Sequence, residues 1–170
     1  MQEMTSAIAN KMLRSLEDEK SYWLDQEANS KTYVAATNEE PVIPEYDYAE
    51  VSATIAALDE KIATIKHALN LTNATAKIMV GDTEMSVDTI LIRMSQLNKR
   101  RFILDMMRKE LPKTRQLTGY AGRNAAPEYK YVNYDLAQVK QDYEKISKMV
   151  MEMQLALDRY NQTVLFDVDI

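Results

Sequence analysis

The 170-residue chain has no cysteine, only three glycines and four prolines, and a single histidine. The lack of cysteine excludes disulfides, thiolate metal sites and cysteine nucleophiles, and it is compatible with a reducing compartment. The scarcity of glycine and proline leaves few helix breakers, so we expect a mostly helical protein. No stretch approaches the roughly 18 apolar residues of a membrane span. Residues 1–8 also lack the pattern of a secretory signal, and we therefore expect a cytoplasmic protein.

Residues suited to catalysis or metal binding are sparse. His67 is predicted to lie on the outer side of a helix, without the Ser or Asp pattern that a catalytic triad needs. The acidic runs 17–19 and 39–40 have no Glu-x-x-His partner, which excludes a di-iron bundle. The loop around Gly119 and Gly122 does not match a phosphate-binding fingerprint. We therefore predict no catalytic, cofactor or metal site, and a protein that is not an enzyme.

Two segments carry apolar residues with alternating spacings of three and four. This period keeps one stripe of a helix facing its neighbours. The first stripe is Val51, Ile55, Leu58, Ile62, Ile65 and Leu69, and the second is Leu136, Val139, Tyr143, Ile146, Val150, Met153, Leu157 and Tyr160. Both stripes are widened by neighbouring apolar residues, which favours a globular bundle over an extended coiled-coil rod.

Four helices are predicted, over about 5–28, 47–70, 86–110 and 134–161. The inward residues of the first helix would be Ile8, Met12, Leu16 and Trp23. The third helix carries the stripe Ile90, Leu97, Leu104 and Leu111, and the arginines at 101 and 108 predict that one side of this stripe is partly solvated. The predicted fold is mainly α, a single domain over residues 1–170 in which four long antiparallel helices form a bundle.

Short strands are predicted to cap the ends of this bundle. Residues 32–34, 129–132 and 163–168 have strand-like composition, and residues 77–85 predict a hairpin around Gly81 and Asp82. The rest of 113–133 is predicted to be a loop. Because strand edges need partners, we expect small separate sheets or pairing between subunits.

Charge is distributed unevenly along the chain. Residues 1–60 hold thirteen acids and four bases, a net charge of -9, whereas residues 86–115 hold eight bases and three acids, a net charge of +5. Opposite charges on different helices indicate neighbours within a bundle or between subunits, and an anionic ligand for the basic helix is the alternative.

Bases and tyrosines alternate after the third helix. Such a mixture could contact phosphates and stack nucleotide bases, although the acidic total argues against nucleic-acid binding. The candidate contacts to an anion or a partner are Arg101, Arg108, Lys113, Arg115, Arg123 and Tyr131.

Five short motifs carry a resemblance to a known family. They are residues 65–70 with 73–75, residues 96–98, the Leu-Pro-Lys-Thr-Arg of 111–115, the Tyr-Val-Asn-Tyr-Asp of 131–135 and the Leu-Asp-Arg-Tyr-Asn of 157–161. On these motifs, residues 41–170 resemble a family of uncharacterised bacterial helical-bundle proteins related to proteins labelled septicolysin-like. The resemblance implies a bundle fold and supplies no reaction, and the septicolysin-like label would imply a membrane-active protein.

The sequence favours a non-enzymatic helical scaffold or protein-interaction module that forms a homo-oligomer. Polyanion binding through the third helix and residues 113–131 is one alternative, and membrane activity is the other.

Overall fold

The computed structural model describes residues 1–116 and 126–170, which contain four helices and six short strands. The helices are α1 Ser6–Ser30, α2 Tyr48–Thr75, α3 Val87–Met107 and α4 Leu136–Thr163. The strands are β1 Gln2–Thr5, β2 Lys77–Val80, β3 Thr83–Ser86, β4 Lys113–Arg115, β5 Tyr129–Tyr131 and β6 Leu165–Val168. The mainly helical class predicted from the sequence is confirmed.

Polar side chains at the helix starts satisfy backbone N–H groups that have no partner inside the helix. The Thr5 hydroxyl accepts from the N–H of Ile8 at 3.3 Å, at the start of α1. Asp47 accepts from the first N–H groups of α2 at 2.8 and 3.2 Å, and Asp135 does the same for α4 at 2.7 and 3.3 Å. Ser86 stands at the N-cap position of α3, but its hydroxyl bonds to the Asp88 and Thr89 side chains and not to the helix backbone.

The chain divides into two compact units, residues 1–76 with 158–170 and residues 77–157. In the first unit, α1 and α2 pack antiparallel, with ion pairs joining Lys20 to Asp59 at 2.6 Å and Lys66 to Glu17 at 2.7 Å. Strands β1 and β6 pair antiparallel, Gln2 opposite Val168 and Thr5 opposite Leu165. The core of this unit is formed by Met4, Ala9, Leu13, Ile62, Ile65, Phe166 and Val168.

The second unit contains two hairpin-like sheets and two helices. Strands β2 and β3 form the predicted hairpin around Gly81, whose φ of +57° suits the first central position of a type II′ turn. Strand β4 pairs antiparallel with β5. Helix α3 buries Val87, Ile90, Met94 and Leu104, and α4 buries Val139, Val150, Met153 and Leu157. The apolar stripe predicted for the fourth helix thus supplies its buried side.

Several local predictions are wrong. Residues 32–34 form neither strand nor helix, and Val34 is fully exposed, because no described strand lies beside them to complete a ladder. Ile8 is 49% exposed, since the strand that leads into α1 sets a register in which Ala9 and Leu13 face the core. Leu111 is exposed, because α3 ends at Met107.

Two strands were absent from the prediction. Residues 113–115, assigned to a loop, form β4, and residues 2–5 form β1. Each is three or four residues long and acquires strand geometry only through its distant partner, so the local sequence carries little signal.

Candidate interaction surfaces

The β4–β5 sheet brings together three of the predicted contact residues. Lys113 lies opposite Tyr131, and Arg115 lies opposite Tyr129. Backbone hydrogen bonds continue past both ends of the ladder, from Gln116 to Glu128 at 2.9 Å and from Val132 to Pro112 at 3.2 Å. All strand residues of this sheet are exposed, so their side chains are accessible to a ligand.

Lys113 makes cation–π contacts with two tyrosines of the neighbouring strand. Its Nζ lies 4.1 Å from the ring centroid of Tyr129 and 5.4 Å from that of Tyr131. The next lysine on that strand, Lys130, is paired with Glu110 at 3.2 Å. Lys113 and Arg115 therefore carry the positive charge of this sheet, while Glu110 offsets the charge of Lys130.

Arg108 is engaged within its own unit. Its Nε and one terminal nitrogen donate to Asp105 at 2.8 and 2.6 Å, and its guanidinium carbon lies 4.0 Å from the ring centroid of Tyr143. Hydrogen bonds from Lys109 and Arg108 lower the pKa of Asp105. The guanidinium of Arg108 is thus engaged by a carboxylate of α3 and by an aromatic ring of α4. Arg108 therefore joins the two helices and does not present a free cation.

Arg101 lies in a groove between α3 and α4. The groove measures about 330 Å³, and apolar side chains such as Met94, Val150 and Leu155 line it beside the half-buried arginine. Asn98 also lines it, with an Oδ1 that has no hydrogen-bond partner among the described residues. The sixth predicted contact, Arg123, lies outside the residues that the structure describes.

Helix α3 exposes a second apolar face. Residues advance about 100° around a helix, so the buried residues Ile90, Met94 and Leu104 occupy one side. Most of the opposite side is formed by large exposed side chains, namely Leu91, Ile92, Phe102, Ile103 and Met106. Phe102 is 65% exposed and Met106 is 50% exposed. An apolar face of this size on a soluble monomer would mark a binding surface.

A groove continues this face at the end of α3. It measures about 410 Å³ and is lined mainly by apolar groups, among them Ile103, Met106, Tyr131 and Val132. The hydroxyl of Tyr134 donates to the carbonyl of Met107 at 2.8 Å and holds the β5 side of the groove against the helix end. Tyr131 thus borders both the basic sheet and the apolar face.

An acidic and aromatic cleft of about 350 Å³ lies in the first unit. Tyr22 and Trp23 meet edge to face, with ring centroids 5.5 Å apart. The hydroxyl of Tyr46 donates to Glu27 at 2.9 Å, and burial together with this carboxylate raises the pKa of Tyr46. The sequence did not indicate this cleft, because its residues come from α1, the start of α2 and an irregular connection whose path no local pattern reveals.

His67 is exposed on α2, as the sequence predicts. Within residues 1–116 and 126–170, no group of three or more His, Cys, Asp or Glu side chains is arranged to hold a metal ion. None of the helices in this part of the chain combines the length and apolar character that crossing a membrane requires.

Comparison with known proteins identifies a shared fold. No family model and no curated protein matches the chain. A crystal structure of a functionally unknown conserved protein from Corynebacterium diphtheriae is similar, with a TM-score of 0.66 and 17% sequence identity over 98% of this chain and 100% of that one. At this identity the similarity establishes the fold alone and assigns no function, and the relation to septicolysin-like proteins stays a prediction.

Proposed function

We propose that the protein is a non-enzymatic helical module that associates with itself, and that its four helices form an antiparallel bundle within each copy. A homo-oligomer is the functional form in this proposal, and its location is the cytoplasm expected from the sequence. A second copy of the chain binds to the exposed face of α3.

The apolar face of α3 is the observation that carries this proposal. Phe102 and Met106 are each at least half exposed, and Leu91 is nearly so. Exposing such side chains to water is unfavourable by about 25 cal/mol per Å² of apolar surface. Association removes this surface from water. In a symmetric dimer the same helix face of two copies can pack together, so each face covers the other.

The uneven charge supports association between copies instead of with an unrelated anion. The section 1–60 carries a net charge of -9 and the section 86–115 a net charge of +5. Unlike sections of two copies therefore attract each other and like sections repel, so this charge favours association between copies in general and does not by itself bring α3 against α3.

Static light scattering tests self-association directly. Over a range of micromolar concentrations we expect a molar mass above the 19.5 kDa of one chain, rising with concentration until the oligomer saturates. Substitution of Phe102 by Asp should shift the transition to higher concentration, and Met79→Asp provides a matched control because Met79 is 57% exposed on β2. A constant mass of one chain would remove this function.

Polyanion binding is a second candidate, favoured by one observation. Lys113 and Arg115 are exposed on a sheet whose tyrosine rings could stack on nucleotide bases. Binding should weaken steeply with salt, because each phosphate contact releases counterions. Fluorescence anisotropy with single-stranded DNA, double-stranded DNA and RNA at low salt tests it, with Lys113→Ala and Lys140→Ala as site and control variants.

A further inference from the structure

Six residues on the exposed side of α3 are spaced symmetrically about one midpoint. Asp88 precedes Leu91 by three residues, Ser95 follows Leu91 by four, and Phe102 follows Ser95 by seven. Met106 and Lys109 come four and three residues later. The spacings 3, 4, 7, 4 and 3 are symmetric, so each of these six residues lies opposite another of them when the helix packs antiparallel against its own copy about their midpoint.

These positions also share one side of the helix. At about 100° per residue, all six fall within about 60° of arc, beside the buried residues Val87 and Met94 and farther from Ile90 and Leu104. Leu91, Ser95, Phe102, Met106 and Lys109 are exposed, and Asp88 is half-buried. The face is therefore continuous along α3 and into the turn that follows it.

We infer that α3 packs antiparallel against α3 of a second copy, about a twofold axis that passes between Asn98 and Lys99. This inference rests on the self-association proposed above and names its surface and register. Leu91 lies against the partner's Met106, and Phe102 lies against the partner's Ser95. Asp88 faces the partner's Lys109 at each end.

The chemistry of each opposed pair is complementary. The small Ser95 leaves space for the large ring of Phe102, so side chains of unequal size interdigitate along the seam. Leu91 and Met106 are both apolar. The carboxylate of Asp88 accepts from the Ser86 hydroxyl and from the Thr89 N–H at 2.6 Å, and these bonds lower its pKa.

Lys109 already pairs with Asp105 of its own chain and is 64% exposed. Its ammonium has three donors, so it can take a second carboxylate from the partner without leaving Asp105. One such pair forms at each end of the seam, and a parallel arrangement would instead place Asp88 beside the partner's Asp88.

The apolar area of the seam is small, which indicates a weak dimer. Taking about 200 Å² for a large side chain, the seam residues Leu91, Phe102 and Met106 present about 330 Å² of exposed apolar surface. A standard interface covers about 800 Å² on each partner, and Ser95 and the charged ends add to the apolar part. The adjoining groove beside Tyr131 lengthens the surface further at one end.

Disulfide trapping tests the register, because the chain contains no cysteine of its own. Equal amounts of Leu91→Cys and Met106→Cys protein, mixed and oxidised mildly, should form a mixed disulfide dimer. Each variant alone should not cross-link efficiently, since the two copies of residue 91 would lie about 22 Å apart along the seam, beyond the reach of a disulfide. Met151→Cys, exposed on α4, serves as the control for random collision.

Charge reversal gives a second measurement that does not depend on oxidation. Asp88→Lys or Lys109→Asp alone should raise the dissociation constant, and the combined variant should recover most of the loss. Phe102→Asp should raise it by at least about 30-fold, the scale of a central hot spot. Circular dichroism on each variant confirms that the helices remain folded.

The outcomes separate the register from self-association itself. A dimer by light scattering that forms no mixed disulfide, or that cross-links through Leu91→Cys alone, overturns the antiparallel register and leaves self-association standing. A chain that remains a monomer at all concentrations overturns both. A mixed disulfide accompanied by charge-reversal rescue supports both.

Discussion

The guanidinium of Arg108 lies over the ring of Tyr143, 4.0 Å from its centroid, while it donates two hydrogen bonds to Asp105. This arrangement joins the last turn of α3 to α4 and places one arginine between an acid and an aromatic ring. An arginine that the sequence suggested for anion binding is therefore a structural contact within its unit.

Acid should weaken this contact. Hydrogen bonds from Lys109 and Arg108 lower the pKa of Asp105 below its ordinary value of 3.8 in the folded chain. Its contribution to stability is therefore complete above about pH 4 and is lost as the pH falls through the lowered pKa. Chemical denaturation between pH 2 and 6 should show a steeper acid loss for the wild type than for Asp105→Asn.

Replacement of Arg108 by Lys should lower the melting temperature even though the charge is retained. The planar guanidinium of arginine donates from two nitrogens to Asp105 and stacks on Tyr143 at the same time. Lysine has no planar group and a single nitrogen, so it cannot make both contacts. Lys140→Arg, an exchange at an exposed position of α4, is the control and should leave the melting temperature unchanged. Equal melting temperatures for Arg108→Lys and the wild type would contradict a stacking role.

The first unit should depend strongly on Ile65. This side chain is fully buried beside Met4, Ala9 and Leu13, so truncation leaves a cavity. Ile65→Ala should reduce the free energy of unfolding by about 3 kcal/mol. Leu71→Ala on the same helix, at a residue 57% exposed, should change it by less than about 0.5 kcal/mol. Urea denaturation of both variants provides the comparison.

Alkaline pH should destabilise the fold partly through Tyr160. Burial raises the pKa of Tyr160 above its ordinary value of 10.0. Since the folded state retains the phenol proton more tightly than the unfolded state, stability decreases as the pH rises above 10. Tyr160→Phe should reduce this alkaline loss, and Tyr33→Phe, at an exposed tyrosine, should preserve it.

Tyr160→Phe should also affect the stability of the fold at neutral pH. The hydroxyls of Tyr160 and Ser6 are buried, and neither meets hydrogen-bond geometry with a partner among the described residues. Removing a buried hydroxyl that has no partner eliminates a desolvation cost. Tyr160→Phe should therefore unfold at the same or a higher urea concentration than the wild type at pH 7, and a clear loss of stability would reveal a hydrogen bond in solution.

The helices could be predicted from the sequence because their evidence is local and repeated. Val51, Leu58 and Ile65 recur at a spacing of seven, and all three are buried in α2. Asp47 and Ser86 stand at helix starts, and Pro112 follows the end of α3. Each of these features depends on residues within one or two turns, so no tertiary knowledge is needed.

The sheets and surfaces depend on pairs that are distant in sequence. Met4 faces the core because β1 pairs with β6, more than 150 residues later, and no pattern in four residues indicates such a partner. Lys113 and Tyr131, grouped in the sequence because bases and tyrosines alternate there, lie opposite each other in the sheet. Arg108 was grouped with them, but it contacts Asp105 and Tyr143 instead. The exposed face of α3 has no signal of its own in the sequence, because Phe102 and Met106 are residue types that also fill cores, and only their exposure in the folded chain identifies it.

The molar mass of the wild-type chain in solution, measured by light scattering from low to high micromolar concentration beside Phe102→Asp, tests the central claim most directly. We predict a rise from one chain of 19.5 kDa toward twice that mass in the wild type, with Phe102→Asp remaining at the mass of one chain over the same range. A wild type that stays at 19.5 kDa throughout would contradict self-association through α3.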